Sequence, residues 1–253
     1  MLIRAVCAAV KRAIGTSAVD RSTLVAGVIL SLATSATGLG TVHILFAKSQ
    51  LLGGWTQSQA IVLYGIYIVF DGLAGTFLSP SLTRLPEQIQ SGEFDASLLN
   101  PAGPQLLLTF AQLNPWRLPD IAMGALLVTM YRTSAAVDFV SAGLALLAAL
   151  VLLYAYWLLL VSVTLSVSRT NNAAQLLVVP LSLGRFPLDV YPPWLKSVLM
   201  SVLPIGFITF VPAAVLTNAL SGAWAMMGLL VAAVFAVFAN VVFRHCIYRY
   251  TGA

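Results

Sequence analysis

The chain has 253 residues, of which 60% are hydrophobic and 8% are charged. Because a soluble domain carries about 25% charged residues, this composition excludes an ordinary soluble protein and indicates a surface that faces lipid. The formal net charge is +5, but no Lys/Arg cluster is interleaved with aromatic residues as in a nucleic-acid groove. The basic residues instead suit the topology signals of a membrane protein.

The segment 1–23 precedes the first long apolar run. Its apolar residues recur at helical spacing: Ile3, Val6, Val10 and Ile14. The basic residues Arg4, Lys11 and Arg12 fall elsewhere on the helical wheel, which predicts an amphipathic helix lying on the membrane surface. They also interrupt the apolar stretch that a cleavable signal peptide requires, so we expect no such peptide.

Six membrane-spanning helices are predicted from apolar runs, since a full span needs about 20 residues. In chain order they cover residues 24–46, 60–78, 120–137, 139–167, 173–183 and 224–242. Pro80, Arg84 and Pro86 are expected to end the second span, and Arg132 interrupts the third. The fifth has only about half the length of a full span.

Basic residues predict the orientation. With the N-terminus inside and six crossings, nine of the 13 Lys and Arg residues fall on the inner side. This bias predicts that both termini are cytoplasmic. It also supports a crossing by the short fifth segment, because without that crossing the basic C-terminus would lie outside.

Two stretches differ from ordinary connections between spans. Residues 84–119 form the longest polar stretch, and their prolines divide it into short pieces. Residues 180–212 contain six of the 12 prolines, yet they remain apolar. Because broken backbone at membrane depth must be covered by protein or line a water-filled cavity, the second stretch predicts one or two re-entrant half-helices.

No constellation for catalysis or metal binding is visible. The sequence has no GxxxxGK[ST] loop for nucleotide phosphates and no HExxH pair. Its two histidines, His43 and His245, fall at opposite ends of the predicted topology. We therefore expect no ATP hydrolysis and no metal site on this chain, and a membrane-embedded enzyme is disfavoured.

Asp71 is the one acidic residue inside a clear span. An intramembrane carboxylate is costly and suggests function, so one hypothesis is a stand-alone carrier that couples transport to ions or protons through Asp71. The alternative is a carboxylate that faces the helix bundle, either neutral or paired with a polar group of a neighbouring helix. A lone acid without a basic or histidine partner makes a poor proton relay, which favours the alternative.

Two motifs resemble known sequence signatures. The stretch LPEQIQSGEFDASLLNP at residues 85–101 resembles the inner-loop signature of ABC-2-type permeases. The stretch GRFPLDVYP at 184–192, followed by Leu203-Pro204 and Val211-Pro212-Ala213, is similar to the segment before the last span of that family. More narrowly, the chain resembles the small stand-alone ABC-2 permeases with six spans, and the resemblance covers nearly its whole length.

This resemblance implies an all-α integral membrane fold. It would have six transmembrane helices, an N-terminal amphipathic interface helix and re-entrant outer helices before the last span, as in type V exporters. Residues 1–253 would form a single transmembrane permease domain. Within it, 1–23 would be the connecting helix, 84–119 the cytoplasmic coupling loop and 184–218 the outer re-entrant segment.

The resemblance also implies two groups of site residues. The coupling loop would dock on a separate ATP-binding subunit through Glu87, Ile89, Gly92, Glu93, Asp95, Leu98, Leu99 and Pro101. The outer gate would contain Arg185, Pro187, Tyr191, Pro192, Pro204 and Pro212. Gln90, Asn100 and Asn218 depart from the pattern that is common in relatives.

The implied role is that of a transport subunit of an exporter in the bacterial inner (plasma) membrane. No cofactor is expected on this chain, since ATP and Mg would be bound by the partner ATPase. Two permeases, identical or related, would join two ATP-binding subunits, and the path would run between the permeases. The sequence leaves the substrate open, and a purely structural subunit of a larger transporter is a further alternative.

Overall fold

The computed structural model describes residues 21–47, 50–98, 103–110, 112–132, 139–166 and 173–250. These residues form helices and turns, and no strand occurs among them beyond a single bridge between Leu52 and Trp55. The expected all-helical fold is therefore confirmed for the described part of the chain. Most of the predicted interface helix, up to residue 20, lies outside it.

Twelve α-helices are present in the described ranges. In chain order they are α1 (Arg21–Ala47), α2 (Gln57–Leu73), α3 (Ser79–Gln90), α4 (Glu93–Leu98), α5 (Pro104–Thr109), α6 (Leu118–Tyr131), α7 (Phe139–Ser166), α8 (Ala173–Leu183), α9 (Pro193–Ser201), α10 (Ile205–Ile208), α11 (Phe210–Leu216) and α12 (Ala223–Arg249). A π turn at Ala74–Leu78 joins α2 to α3, and 3₁₀ turns cover Pro115–Arg117 and Leu188–Val190.

Four of the described helices are long and apolar enough to cross a membrane. They are α1 from Val25, the continuous helix Gln57–Gln90, α7 and α12. A fifth span results if α9 and the α10–α11 pair, which meet at a bend of 69°, are counted as one. The chain is thus a multi-pass membrane protein, and the count of six spans stays a prediction. α6 and α8 have 14 and 11 residues, which is short for a full span.

The expectation that prolines end the second span is wrong. The helix continues through Pro80 and Pro86 as far as Gln90. The π turn at Ala74–Leu78 precedes the first proline, and such turns absorb local disturbance of the helical hydrogen-bond ladder. The first seven residues of the predicted loop at 84–119 therefore belong to a helix, while the rest is divided into short helices as expected.

A donor from a neighbouring element explains why this helix continues through Pro80. Pro80 has no N–H, so the Thr76 carbonyl loses its usual donor. The backbone N–H of Asn114 replaces it at 3.0 Å. The indole N–H of Trp157 donates to the Leu78 carbonyl, also at 3.0 Å. Because the carbonyl that Pro80 leaves without a donor is satisfied from outside the helix, the gap in the ladder at this proline is tolerated at membrane depth.

The third predicted span also differs from the structure. α6 begins at Leu118 and ends at Tyr131, and residues 133–137 lie outside the described ranges. The helix ends directly before Arg132, which has an extended conformation, so the predicted interruption coincides with the end of α6. Its guanidinium lies 5.5 Å from the ring centre of Phe139. The charge thus lies at the end of α6.

Two close helix pairs organise the bundle. α12 packs along α7, and α6 packs along α2. At the second contact the backbones touch, since a Cβ added at Gly65 would lie 2.9 Å from the Gly124 carbonyl oxygen. Small residues of this kind allow membrane helices to approach closely. The pairing of these helices places the start of α6, with Arg117 and Asp120, beside the C-terminal end of α2.

Candidate functional site

A polar cavity of about 320 Å³ lies beside α1 and α2. Its charged lining residues are Asp71, Asp120, Arg117 and Arg185. The continuous helix Gln57–Gln90 is about 51 Å long at 1.5 Å per residue, and Asp71 lies about 21 Å from its Gln57 end. The cavity is therefore at the middle of a helix that exceeds the ~30 Å hydrocarbon core. Because polar groups at such depth are costly, they mark the main candidate site.

Helical periodicity explains why the cavity is polar. The polar residues of α1 that line the cavity include Thr34, Thr37 and Thr41. Those of α2 are Tyr64, Tyr67 and Asp71. Both sets have the spacing i, i+3, i+7, which places their members on one helix face. Each otherwise apolar helix thus turns one polar stripe toward the same space.

Arg117 is the centre of a partly buried charge cluster. Its guanidinium forms ion pairs with Asp71 and, at 3.0 Å, with Asp120. Asp120 is 2% exposed, and it accepts further hydrogen bonds from the hydroxyls of Ser31 and, at 3.3 Å, Ser35. The cluster therefore joins α1, α2 and α6. The premise that Asp71 lacks a basic partner is wrong, because the 3₁₀ turn at Pro115–Arg117 brings one to it.

Arg185 lines the same cavity in a different manner. Its side chain is exposed, and its guanidinium lies 4.9 Å from the ring centre of Phe186. No carboxylate in the described ranges forms an ion pair with it. Arg185 belongs to the predicted outer gate, whereas Asp71 is the acidic residue predicted inside the second span. The structure brings these two predicted site regions together at one cavity.

The remaining gate residues lie near the Gln57 end of the continuous helix. Asp189 accepts a hydrogen bond from the Trp55 indole at 3.1 Å and pairs with Lys196 at 2.5 Å. The Tyr191 hydroxyl donates to the Leu183 carbonyl at 2.9 Å. These contacts attach the proline-rich segment to the loop that precedes α2.

Most of the predicted gate prolines lie at the beginning of short helical elements. Pro187, Pro192 and Pro204 directly precede the 3₁₀ turn at Leu188–Val190, α9 and α10. Their fixed φ suits the entry into a helix. Pro212 instead lies inside α11 and is buried. The prolines thus divide the segment into short helices, as its sequence predicts.

The predicted coupling residues lie at the opposite, Gln90 end of the continuous helix. Glu87, Gly92 and Glu93 are exposed, and Gly92 has the positive φ of 73° that favours glycine. Ile89 is buried. Asp95 and Leu98 are half-buried, and Leu99 and Pro101 lie outside the described residues. The set therefore contains exposed acidic residues, which are accessible to a partner, and buried residues such as Ile89, which pack within the chain.

An anchor that the sequence did not reveal holds this region. Phe94 is 1% exposed, and its ring meets Tyr250 edge to face with 5.2 Å between centres. Burial and the neighbouring Asp95 carboxylate raise the pKa of the Tyr250 phenol. The C-terminal end of α12 thus packs against α4, which holds the predicted coupling region against the last described helix.

Several functional residues escaped prediction, and a sequence signal was present for only some of them. Arg117 and Asp120 were assigned to a loop and to a span boundary, and their meeting with Asp71 depends on tertiary packing. The polar stripes on α1 and α2, in contrast, are visible in the sequence as hydroxyl residues at helical spacing within apolar runs. A search for such stripes would have located the cavity.

Comparison with known proteins assigns the family. A family model described as ABC-2 family transporter protein matches residues 32–253. No curated protein and no solved structure shows significant similarity to the chain. The match covers most of the sequence, including all residues that line the cavity, both motif stretches and all predicted site residues. This transmembrane protein therefore belongs to the ABC-2 transporter family as a membrane-embedded transport subunit.

Proposed function

We propose that the chain is the permease subunit of an ABC exporter. It forms the translocation path together with a second permease, and separate ATP-binding subunits, which bind ATP and Mg, drive the transport cycle. In this assignment the Gln90 end of the continuous helix faces the cytoplasm, and the proline-rich segment at 184–218 faces outward. Both termini are then cytoplasmic, and the membrane is the bacterial inner membrane.

The continuous helix Gln57–Gln90 is the observation that carries this proposal. At one end it adjoins the loop in which Trp55 holds Asp189 of the gate segment. Its middle supplies Tyr64, Tyr67 and Asp71 to the cavity. Its other end leads directly into α4. Because a helix moves as a rigid element in such transitions, displacement at the ATPase side would reach both the cavity and the gate.

The coupling surface is best formed by the exposed residues of its predicted set. Glu87 and Glu93 point outward and suit a basic surface on an ATP-binding subunit. Ile89 and Phe94 are buried, so they hold the short helix in place instead of contacting a partner. This division assigns docking and anchoring to different residues of one motif.

The second permease is proposed to pack along α1. Only 17% of the apolar window of α1 is buried within the chain, against 61% for α7. Thr34 and Thr37 are exposed on the same helix, so the cavity opens onto the α1 surface. A partner on this face would place the two cavities of a permease pair beside a shared path, whether the partner is identical or related.

Capture of ATP-binding subunits tests the proposal. Tagged chain is co-expressed with ABC ATP-binding subunits of the same organism, and we expect co-purification in detergent. Charge reversal of Glu87 and Glu93 to Lys should reduce capture about tenfold or more, since several charge pairs are inverted. Arg132→Glu, a charge reversal near the other end, is the matched control and should capture normally. Capture by the double variant at the level of the unmodified chain would reject the docking role.

Labelling from one side of the membrane tests the orientation. Ser91→Cys and Val190→Cys place a thiol at exposed positions near opposite ends of the continuous helix. A membrane-impermeant maleimide applied to intact cells should label Val190→Cys and leave Ser91→Cys unmodified. Labelling of both from the same side would reject the proposed topology.

A stand-alone carrier coupled to ions or protons is the second candidate. Its support is that two carboxylates, Asp71 and Asp120, line one cavity. Purified chain in vesicles, without any ATP-binding subunit, should then transport, and Asp71→Asn should abolish transport while the protein still assembles. Transport that depends strictly on ATP and the partner subunits would exclude this candidate.

A further inference from the structure

We infer that the cavity beside α1 and α2 binds a solute or lipid headgroup in which an anionic group is joined to N–H or O–H donors, with the anionic group held by Arg185. This inference deepens the proposed function and rests on it, because it names the chemical class of the cargo. The cargo itself is identified by the hydrogen-bonding and charge complement of the cavity.

Arg185 supplies the positive site. The cavity has two arginines, but Arg117 is already held between Asp71 and Asp120. Arg185 is stacked on Phe186, exposed to the cavity and without an ion pair in the described part of the chain. Stacking fixes the plane of a guanidinium while leaving its N–H donors available, which suits bidentate binding of phosphate or carboxylate.

The hydroxyl groups of α1 supply the complementary sites. Thr34, Thr37 and Thr41 each donate their proton to a carbonyl of their own helix, at 2.8, 2.7 and 2.9 Å. A hydroxyl that donates in this manner retains lone pairs that accept. These three oxygens therefore act as acceptors toward the cavity. They can accept hydrogen bonds from a ligand that carries N–H or O–H donors.

The two kinds of site lie on different elements. The acceptors line α1, and Arg185 approaches from the segment after α8. The hydroxyl of Tyr67 makes no hydrogen bond within the described residues, so it is a further donor in the cavity. A ligand that joins an anion to hydrogen-bond donors matches this arrangement, whereas a simple anion or a neutral alcohol matches only one part of it.

The cavity volume limits the size of the bound group. A space of about 320 Å³ is at the lower end of small-molecule pockets. It accommodates a headgroup or a small polar solute, and the acyl chains of a lipid would remain outside, against the exposed face of α1. The shared chemistry thus has two possible sources, a free solute and a lipid headgroup.

Binding of matched probes to the purified full chain tests the inference. The chain is placed in phosphatidylcholine nanodiscs, and calorimetry follows the binding of phosphoethanolamine, phosphocholine and ethanolamine. Phosphoethanolamine has both the anion and N–H donors, whereas phosphocholine lacks the N–H donors and ethanolamine lacks the anion. We expect phosphoethanolamine to bind about tenfold or more tightly than either. Equal binding of phosphoethanolamine and phosphocholine, or no binding of phosphoethanolamine, would overturn the inference.

Variants then locate the site. Arg185→Gln should weaken phosphoethanolamine binding about tenfold or more, and Arg185→Lys should retain part of it. Arg132→Gln is the matched control, because it removes another arginine that stacks on a phenylalanine but does not line the cavity. Unchanged binding to Arg185→Gln would overturn the assignment. If that variant does not fold, the probe preference of the unmodified chain still decides the outcome.

Thr37→Val and Thr41→Val test the acceptor side. Each replaces a hydroxyl by a methyl group of similar size. The double variant should bind phosphoethanolamine nearly as weakly as phosphocholine. A preference as strong as that of the unmodified chain would show that the α1 hydroxyls are not the acceptors, and the inference would fail.

The source of the ligand is resolved by adding phosphatidylethanolamine to the nanodiscs. Competition with soluble phosphoethanolamine supports a lipid headgroup as the cargo, and absence of competition supports a free solute. The experiment also separates this inference from the proposed function. If the chain binds phosphoethanolamine but does not capture ATP-binding subunits, the exporter assignment is wrong. If it captures those subunits but does not bind phosphoethanolamine, the cavity assignment is wrong.

Discussion

Two arginines line one cavity, and their surroundings give them different roles. Arg117 is fixed between two carboxylates, one of which is almost completely buried, so its charge is used within the fold. Arg185 lies over an aromatic ring and pairs with no carboxylate in the described ranges. The comparison shows that the partners of a membrane-embedded charge, rather than the charge itself, indicate whether it stabilises the bundle or remains available to a ligand.

Removal of Arg117 should have the largest effect on stability. Arg117→Gln leaves Asp71 and Asp120 close together without a counter-charge, and breaking such a buried pair costs about 3 kcal/mol. Unfolding in detergent, followed by circular dichroism, measures the loss. Restoring neutrality by adding Asp71→Asn and Asp120→Asn should recover much of it. Full stability of the single variant would show that the cluster does not hold the bundle together.

Disturbing the contact between α2 and α6 should cause the next largest loss of stability. Gly65→Ala places a methyl group against the Gly124 carbonyl, and overpacking of this kind costs about 1–3 kcal/mol. It would also displace Arg117 from Asp71. Gly143→Ala, at a helical position with open space around it, is the control and should be neutral or slightly stabilising. The free energy of unfolding distinguishes the two, and equal effects would contradict the close approach of the helices.

The attachment of the outer segment at 184–218 to the loop before α2 should contribute less to stability. Trp55→Phe keeps an aromatic ring beside Phe210 but removes the indole donor to Asp189, with an expected loss of about 1 kcal/mol. Faster proteolysis within 184–218 would accompany the weaker attachment. Trp194→Phe, at an exposed indole, serves as control. If both variants lose the same stability and are digested at the same rate, the hydrogen bond from Trp55 to Asp189 does not hold this segment in place.

The surface ion pair of the gate should matter still less. In Lys196 and Asp189 the side chains are 42% and 30% exposed, and exposed pairs contribute about 0.2–1 kcal/mol. Lys196→Gln should therefore cause a small loss of stability that vanishes in high salt, because salt screens exposed charges. A large, salt-independent loss would place the pair in a more buried setting than the structure gives it.

Arg185→Gln should have the smallest effect on stability, below about 0.5 kcal/mol. Its stacked side chain has no carboxylate that would be left unpaired. The free energy of unfolding, measured beside Arg117→Gln in the same detergent, tests the central comparison directly. A destabilisation as large as that of Arg117→Gln would mean that Arg185 is structural too.

Sequence patterns located most of the helices because apolar length and helical period are local properties. α8 has the predicted limits, and α1, α7 and α12 differ from their predictions mainly at the ends. Prolines misled the prediction for the second span, since their local effect is to end a helix. At Pro80 a backbone donor from Asn114, which lies 34 residues further along the chain, compensates for the bond that the proline removes.

The cavity was only partly predictable. Asp71 and Arg185 were each identified as site candidates, and the hydroxyl stripes on α1 and α2 are present as a helical pattern. What no local pattern contains is the partner of Asp71, because Arg117 is 46 residues away. The anchor between Phe94 and Tyr250 joins still more distant parts of the chain.

The sequence by itself determined that this protein is helical, embedded in lipid and of the ABC-2 transporter family, because composition, apolar runs and two motifs express these properties residue by residue. Only the tertiary structure decided which charges neutralise each other and which remain available. That choice depends on the contact of Gly65 with Gly124 and on the turn that carries Arg117 to Asp71. Pairing at membrane depth is set by the distance between helices, and the order of residues along the chain does not specify that distance.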